Sequence, residues 1–394
     1  MSWNETPTLT ERFATVREQL RVLCPRWRLG SSYSGWCDAL RSCSDKVLPA
    51  IVLRLRERVK SVSPEYQRRE GWVALAADGS RVECPRTEAN EQRLGCAGKQ
   101  RTTPQLMVTT LYHMGTGLPW AFEVGPGVES ERCQLHRLIP TLPENALLVT
   151  DAGFASYDLC DVLRKSGRHF LLRVGGNIHL LTDLGYDCET DGQTVYLWPQ
   201  NARQQGRPPL RLRLITLGSG ENRVYLITDL LDPTLLDDEQ AGRLYAMRWE
   251  IEVFYRSFKR TMAHHKMLSR TPATCVEEFR WTMVGLWLMG LLSVEKIIAA
   301  GRDPLAWSVA QSRDRVRRAL RGAMSGRSPR NKRMTLCRQL ASAVKDAYVR
   351  KRPKKARDWP HKKRERPPGP PQIRPATADE VQQAQQHKTK KLAA

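Results

Sequence analysis

The chain lacks the patterns that mark a zinc-bound, disulfide-bonded or membrane-embedded protein. Its ten cysteines form no C-x-x-C pair, and its eight histidines complete no zinc pattern with them. A disulfide framework is not expected in a chain of 394 residues that shows no signal peptide over residues 1–20. The apolar run at 281–294 stops short of the ~20 residues that span a bilayer. We therefore expect a buried core helix there, no membrane contact, and a protein of the reducing cytoplasm.

Acidic residues are also scarce, with 41 Asp and Glu against 64 Lys and Arg, and the net charge is +23. The excess is uneven, because residues 301–394 carry 26 basic and 7 acidic side chains. Residues 1–300 therefore carry a net charge of only +4. Such a distribution predicts a polyanionic partner, most simply nucleic acid.

The first region, residues 1–70, is expected to be helical. Apolar side chains recur at helical spacing over Leu9–Leu23 and over 47–62. A Gly-, Ser- and Trp-rich link at about 30–36 is expected to join the two helices. This small basic unit could bind DNA ends or brace the core, and the sequence leaves both readings open.

Residues 71–300 predict a mixed α/β domain. Three consecutive strands (72–77, Gln105–His113 and 118–124) are expected to pair antiparallel, because glycines separate the second from the third. A helix at 130–139, a wholly buried strand at Ala146–Thr150 and a helix at Tyr157–Lys165 are then expected. A β-rich insertion at about 175–222 leads to a final core strand at 223–228.

The C-terminal part divides in two. Residues 301–350 are expected to form a basic helical region. Residues 351–394 contain runs such as KRPKK, HKKRER and PPGPP. This composition predicts a basic, Pro-rich, disordered tail that contacts DNA non-specifically.

Two acids follow strand-like runs. Asp78 follows the run at 72–77 and is expected at the end of that strand, although Asp78-Gly79 alone is typical of a hairpin turn. Asp151 follows the buried strand Ala146–Thr150 and precedes Gly153, which allows a sharp turn. The alternative role of Asp151 is to cap the next helix.

A third acid lies in the stretch 244–259, LYAMRWEIEVFYRSFK, for which a single α-helix is expected. At about 100° per residue, Glu252 falls within about 60° of Tyr245, whereas Glu250 lies about 140° away. This geometry favours Glu252 as the functional acid. Taken alone, the stretch favours a surface helix with i,i+4 ion pairs, such as Arg248 with Glu252. One face carries four polar or charged side chains: Tyr245, Arg248, Glu252 and Lys259.

Three carboxylates supply the hard oxygen ligands that Mg²⁺ prefers. Two ions about 3.5–4 Å apart can activate an attacking oxygen and stabilise a leaving oxygen in phosphodiester chemistry. Arg248 and Lys259 could hold phosphates beside such ions, and Trp249 or Tyr245 could stack a base displaced from the duplex.

The stretch 244–259 resembles the Tyr-x2-Arg-x3-Glu-x6-Lys signature of IS4-family DDE transposases. The words AADGSRV around Asp78, PRTEANEQRLG, and TDAGFAS around Asp151 also resemble that family. The resemblance covers about residues 70–295. It implies an RNase H-like mixed sheet flanked by helices, with a β-rich insertion between the second and third catalytic acids.

The resemblance also implies cut-and-paste DNA transposition at insertion-sequence ends, through a hairpin intermediate, with two Mg²⁺ ions that Mn²⁺ can replace. Asp78, Asp151 and Glu252 would be the catalytic metal ligands. Four residues would contact DNA, the last by base stacking: Tyr245, Arg248, Lys259 and Trp249.

For the hairpin step, Trp198 and Tyr225 are the candidates for a second stacking aromatic. The implied partners are double-stranded DNA, as terminal inverted repeats and target, and a second copy in a homodimer. The implied location is the nucleoid of a prokaryotic cytoplasm.

Two rival functions remain. The first is an RNase H-like nuclease or resolvase that cuts without strand transfer, and the second is a non-catalytic DNA-binding derivative of a transposase. His264 and His265 are expected to be a cationic pair at a helix end or a DNA contact.

Overall fold

A computed structural model describes residues 1–4, 6–98, 102–186, 193–220, 223–324, 332–346 and 369–393. The chain forms two compact units. Unit 1 comprises Met1–Leu142 and Met247–Lys345, and unit 2 comprises Pro143–Ala246 and Asp346–Ala394.

The described helices are α1 (Leu9–Leu23), α2 (Tyr33–Val62), α3 (Glu88–Leu94), α4 (Glu131–Leu138), α5 (Tyr157–Lys165), α6 (Gln200–Gln204), α7 (Asp238–Met247), α8 (Trp249–Arg256), α9 (Pro272–Ala299), α10 (Val309–Met324), α11 (Lys332–Ala341) and α12 (Ala378–Ala393). The described strands are β1 (Val73–Glu83), β2 (Gln105–His113), β3 (Leu118–Pro126), β4 (Ala146–Thr150), β5 (His169–Val174), β6 (His179–Thr182), β7 (Thr194–Leu197), β8 (Leu210–Leu217), β9 (Val224–Thr228) and β10 (Gln372–Pro375).

The N-terminal helices of unit 1 have side-chain caps. Thr8 and Glu11 form a capping box at the start of α1, and Ser32 caps α2 by accepting from the Gly35 amide. Helix α1 has the predicted bounds. Helix α2 begins at Tyr33 and continues to Val62, so most of the predicted link at 30–36 is helical. The expected second helix is therefore longer than predicted, because the Ser32 cap starts it earlier.

The sheet of unit 1 is the predicted antiparallel trio, in which β1 pairs with β2 and β2 pairs with β3. Asp78 lies directly opposite Thr110 in the β1–β2 register. Strand β2 is buried over Leu106–His113, which indicates cover on both faces. Helix α4 packs against this sheet, and α8 packs against β1.

Helix α9 is the central helix of unit 1. Thr271 caps it and Pro272 occupies its first turn, where the missing N–H costs nothing. Its length and composition alone would allow a membrane span, but 61% of its most apolar 18-residue window is buried inside the protein. It packs against α2, α11 and β3, which confirms the predicted core helix.

Unit 2 contains a mixed sheet in the order β10-β6-β7-β8-β9-β5-β4. The β4–β5 and β10–β6 pairs are parallel, and the other pairs are antiparallel. Strand β4 has the predicted bounds, and all five residues are buried. The strands β6, β7 and β8 provide the β-rich stretch expected at about 175–222. The described strands form a mixed sheet accompanied by helices, as expected for the predicted α/β class.

The C-terminal segment differs from the expected disordered tail. Strand β10 pairs with β6, and α12 follows it. The buried Glu380 carboxylate accepts from Arg374 Nη2 at 2.7 Å and pairs with Arg203 Nη1 at 2.8 Å. The expectation of disorder is therefore wrong for residues 369–393, because a sheet edge and these ion pairs compensate for the polar composition. The basic run at 347–368 lies outside the described residues.

Candidate active site

Asp78 lies within β1, with five strand residues on each side. Both the expected strand end and the alternative hairpin turn are therefore wrong. The strand continues because β2 supplies ladder partners from Leu75 to Glu83. Gly79 follows Asp78, and a Cβ at Gly79 would overlap Glu131 Oε2 and lie 2.9 Å from Glu131 Cβ. Only glycine therefore allows the first turn of α4 to pack this closely beside Asp78.

Glu252 lies on α8 and forms the predicted i,i+4 ion pair. Arg248 Nη2 donates to Glu252 Oε1 at 3.0 Å, with side-chain exposures of 10% for Arg248 and 32% for Glu252. Glu250 instead pairs with Lys345 Nζ at 3.0 Å. The two acids of α8 therefore have different cationic partners, and the Glu252 carboxylate remains partly open to solvent.

The stretch 244–259 is not the single α-helix that was expected. Helix α7 ends at Met247, α8 occupies Trp249–Arg256, and Ser257–Thr261 form a π-helical turn. A constant 100° per residue therefore does not hold as far as Lys259, since a π turn adds residues to the helical repeat. Single π turns of this kind occur often at functional sites.

Lys259 reaches β1 from the π turn. Its Nζ donates to Ser80 Oγ at 2.7 Å. Burial lowers the pKa of Lys259, while the negative charges of Asp78 and Glu83 oppose that shift. The ammonium group is thus held beside the strand segment that carries Asp78, in the part of unit 1 where a phosphate contact was predicted.

Tyr255 also lies at this site, although it was not among the residues predicted from the sequence. It lies three residues after Glu252 and is 5% exposed. Its hydroxyl lies 3.0 Å from the Asp78 carbonyl oxygen, 2.9 Å from Thr110 Oγ1 and 3.4 Å from the Val108 carbonyl oxygen. Burial raises the pKa of Tyr255, so the phenol stays protonated. The sequence signal that could have indicated Tyr255 is its spacing, because a residue three positions after Glu252 lies on the same face of a helix.

The other predicted residues of α7 and α8 differ in solvent exposure and belong to different compact units. Trp249 is 52% exposed on α8, as a base-stacking aromatic requires. Tyr245 is half-buried and belongs to unit 2, whereas Arg248, Glu252 and Lys259 belong to unit 1.

Asp151 follows β4 in unit 2, as predicted, at the turn that leads towards α5. Its Oδ1 accepts from the Gly153 amide at 2.9 Å. The N-cap of α5 is Ser156, which accepts from the Leu159 amide at 3.3 Å. The alternative role of Asp151 as a helix cap is therefore wrong.

Two sequence-based interpretations of ring residues need correction. His264 is 2% exposed and packs against Phe258 with the rings tilted and 5.5 Å between their centroids. Burial lowers the pKa of His264 to about 4, so it is neutral and not one of a cationic pair. Trp198 is 3% exposed and donates to the Arg207 carbonyl at 2.7 Å. A buried, bonded indole cannot stack a displaced base, which leaves the half-buried Tyr225.

The donor atoms of unit 1 fit a hard divalent ion. Asp78 and Glu252 offer carboxylate oxygens on packed elements, the ligand class that Mg²⁺ takes. Over the described ranges, no group of three or more His, Cys, Asp or Glu side chains is arranged to hold a metal ion. The complete three-acid metal site stays a prediction.

Comparison with known proteins gives the class of the chain. The profile of the family described as "Transposase DDE domain" matches residues 72–288, which is more than half of the chain and includes Asp78, Asp151 and Glu252.

Two individual relatives are transposases of insertion sequences. Transposase InsG for insertion sequence element IS4, from Escherichia coli K12, is 28% identical over 317 residues, which cover 75% of this chain and 69% of InsG. A putative transposase for element IS4SA of Synechocystis sp. PCC 6803 is 20% identical, over 49% of this chain and 54% of the relative. The chain therefore belongs to the family of DDE-domain transposases, and it is similar to transposases named for the elements IS4 and IS4SA.

A solved structure is also similar to the chain. It is a piggyBac transposase synaptic complex with hairpin DNA, with a TM-score of 0.43 and 11% identity. The similarity covers 91% of this chain and 81% of the piggyBac chain.

Proposed function

We propose that this transposase cuts DNA at the ends of an insertion sequence in a Mg²⁺-dependent reaction and joins those ends to target DNA. The family match over residues 72–288 carries the proposal, because it contains all three acids in their expected order. The geometry of unit 1 supports it, since α8 packs against β1 and thereby couples the Glu252 helix to the Asp78 strand.

Asp78, Asp151 and Glu252 would hold two Mg²⁺ ions, for which Mn²⁺ can substitute. Bound there, the ions supply Lewis-acid activation of water and stabilise the departing oxygen. Arg248 orients the Glu252 carboxylate through their 3.0 Å ion pair. The partial exposure of Glu252 leaves an oxygen accessible to such an ion.

The same stretch provides the proposed DNA contacts. Tyr245, Arg248 and Lys259 bind phosphates at the element end, where cations offset the backbone charge. Trp249 stacks a base displaced from the duplex, and its 52% exposure supports this role. Tyr225 is the remaining candidate for a second stacking aromatic in the hairpin step.

Residues 1–70 are proposed to bind the terminal repeats. The loop after α1 supports this role, since Trp27 is 64% exposed and lies between the exposed Arg26 and Arg28. An exposed aromatic between cations suits contact with bases and phosphates. Residues 301–394 are proposed to contact the phosphate backbone of the DNA. Two copies of the chain are proposed to act together on paired element ends. The proposed location is the nucleoid of a prokaryotic cytoplasm.

A strand-transfer assay tests this function. Purified protein is mixed with duplexes that carry the inverted repeats flanking its gene, a supercoiled target plasmid and Mg²⁺. We expect nicking at the repeat, a hairpin product and ends joined to the plasmid, all abolished by EDTA. A scrambled repeat is the matched substrate control.

The assay also separates the rivals. Nicking without joined product would identify a nuclease or resolvase without strand transfer. Binding without nicking would identify a non-catalytic DNA-binding derivative. The presence of all three acids favours the transposase over that derivative.

A further inference from the structure

Tyr255 joins the two elements of unit 1 that carry catalytic acids. It projects from α8, one turn after Glu252, into the β1–β2 pair. Its hydroxyl lies within hydrogen-bond distance of the Asp78 carbonyl at 3.0 Å and of Thr110 Oγ1 at 2.9 Å. Since Thr110 is the cross-strand partner of Asp78, all of these contacts converge on one point of the sheet.

The number of protons determines how this contact works. A phenol has one proton, a carbonyl oxygen can only accept, and a threonine hydroxyl can donate or accept. Tyr255 Oη is the donor to both the Asp78 carbonyl and Thr110 Oγ1, so its one proton is shared between these two acceptors. Thr110 is fully buried, so this arrangement also provides its hydroxyl with a partner.

We propose that Tyr255 is a positioning residue, which fixes the main chain at Asp78 relative to the Glu252 helix through its hydroxyl. The inference rests on the proposed function, because it assumes that Asp78 and Glu252 serve one metal-dependent reaction. Tyr255 itself contacts the backbone of Asp78 and not its carboxylate. It therefore acts by setting the spacing of the two acids, and Thr110 completes the contact.

The competing explanation is that Tyr255 is a core tyrosine important only for stability. Tyr112 provides the matched comparison. It is also buried, at 4% exposure, and its ring packs on Phe254 of α8 at 5.7 Å between centroids. It lies on β2 two residues beyond Thr110, and Asp78 is not among its partners. Tyr255→Phe and Tyr112→Phe each delete one buried hydroxyl from the same helix–sheet interface.

The experiment compares full-length wild type with Tyr255→Phe, Tyr112→Phe, Thr110→Val, Thr110→Ser and the double variant Tyr255→Phe/Thr110→Val. Mn²⁺ binding to the protein–DNA complex is measured by electron paramagnetic resonance, which does not depend on turnover. Nicking rates, DNA affinity and melting temperatures are measured on the same samples.

We expect Tyr255→Phe to weaken Mn²⁺ binding about tenfold and to lower the nicking rate by a similar factor, as loss of a supporting hydrogen bond does at metal sites. Thr110→Val should act in the same direction, and Thr110→Ser should restore binding because it retains the hydroxyl. The double variant should be little worse than Tyr255→Phe, since both changes break one contact. DNA affinity should change less than twofold.

Other outcomes would overturn the proposal. Equal losses of melting temperature in Tyr255→Phe and Tyr112→Phe, with wild-type Mn²⁺ binding in both, would show a purely structural tyrosine. A wild-type protein that binds Mn²⁺ but does not nick DNA would contradict the proposed function. In that case the Mn²⁺ affinities of Tyr255→Phe and Tyr112→Phe, compared with wild type, would still test the role of Tyr255. A wild type that binds no Mn²⁺ would refute both.

Discussion

His264 shows how buried surroundings change the protonation of a side chain. It is 2% exposed, packs on Phe258, and lies 3.4 Å through Nε2 from the Ser2 carbonyl oxygen. Arg12 and Arg317 add positive charge around it. Burial and these cations disfavour the imidazolium, so between about pH 4 and pH 6.5 the folded protein keeps His264 neutral where a histidine of ordinary pKa is mainly charged.

This residue predicts a pH dependence of stability. The pKa of His264 is lowered from 6.5 to about 4, so the unfolded chain takes up a proton before the folded chain does. The free energy of unfolding is therefore unaffected by His264 protonation above about pH 6.5, and it decreases as the pH falls from about 6.5 towards about 4. Linkage gives a loss of up to about 3 kcal/mol over that window.

Melting curves of wild type and His264→Gln between pH 7.5 and 4 measure this effect. The variant should be less stable at pH 7 but should lose less stability on acidification. His265→Gln is the control, because His265 is exposed and should leave the pH slope unchanged. Parallel pH slopes for wild type and His264→Gln would contradict the neutral, buried histidine.

At the scale of elements, strand β10 protects one edge of the unit 2 sheet. It pairs in parallel with β6 from Gln372 to Pro375, and Glu380 fastens the following helix. Hydrogen bonds from Arg374 are the main cause that lowers the pKa of Glu380 to about 2, and a hydrogen bond from the Thr377 amide adds to this effect. Burial opposes the shift. The segment is thus an integrated part of unit 2.

Glu380→Gln should therefore destabilise unit 2 by about 1–3 kcal/mol, because two arginines lose a buried charged partner. Hydrogen exchange at the β6 amides, His179–Thr182, should become faster. The neighbouring Asp379→Asn is the control, since Asp379 is exposed and should change stability by less than about 0.5 kcal/mol. Unchanged β6 exchange in Glu380→Gln would contradict the docking of this segment.

Elements with strong local signals were predictable from the sequence. Leu9–Leu23 has the bounds predicted from apolar periodicity, and Ala146–Thr150 has the bounds of its apolar run. The antiparallel trio followed from the glycines between its strands. Asp78 was misplaced at a strand end because Asp-Gly favours a turn locally, whereas pairing with β2 maintains the strand. Strand β10 was missed because its partner β6 lies almost two hundred residues earlier in the chain.

The candidate site was predictable to a similar extent. Residue spacing indicated the Arg248–Glu252 pair, and the structure shows it. The π turn at Ser257–Thr261 was not predictable, because a periodicity argument assumes constant rotation per residue. Tyr255 was missed for a different reason, since its hydroxyl has meaning only once α8 packs against β1.

At the scale of the whole molecule, the net charge attracts DNA, whereas the fold positions the three acids. The net charge of +23 attracts DNA without regard to sequence, and the resulting affinity should fall steeply with salt. Unit 1 couples Asp78 to the Glu252 helix, and unit 2 carries Asp151 at the end of its buried strand. The central claim is that all three acids are required for one metal-dependent cleavage reaction.

Cleavage by the three single variants Asp78→Asn, Asp151→Asn and Glu252→Gln tests that claim most directly. Each is mixed with repeat-end DNA and Mg²⁺, with Glu250→Gln as the control on the same helix, and DNA binding is measured in parallel. We predict background nicking for each of the three variants, retained DNA binding, and wild-type nicking for Glu250→Gln. Wild-type nicking by any one of the three would contradict the account.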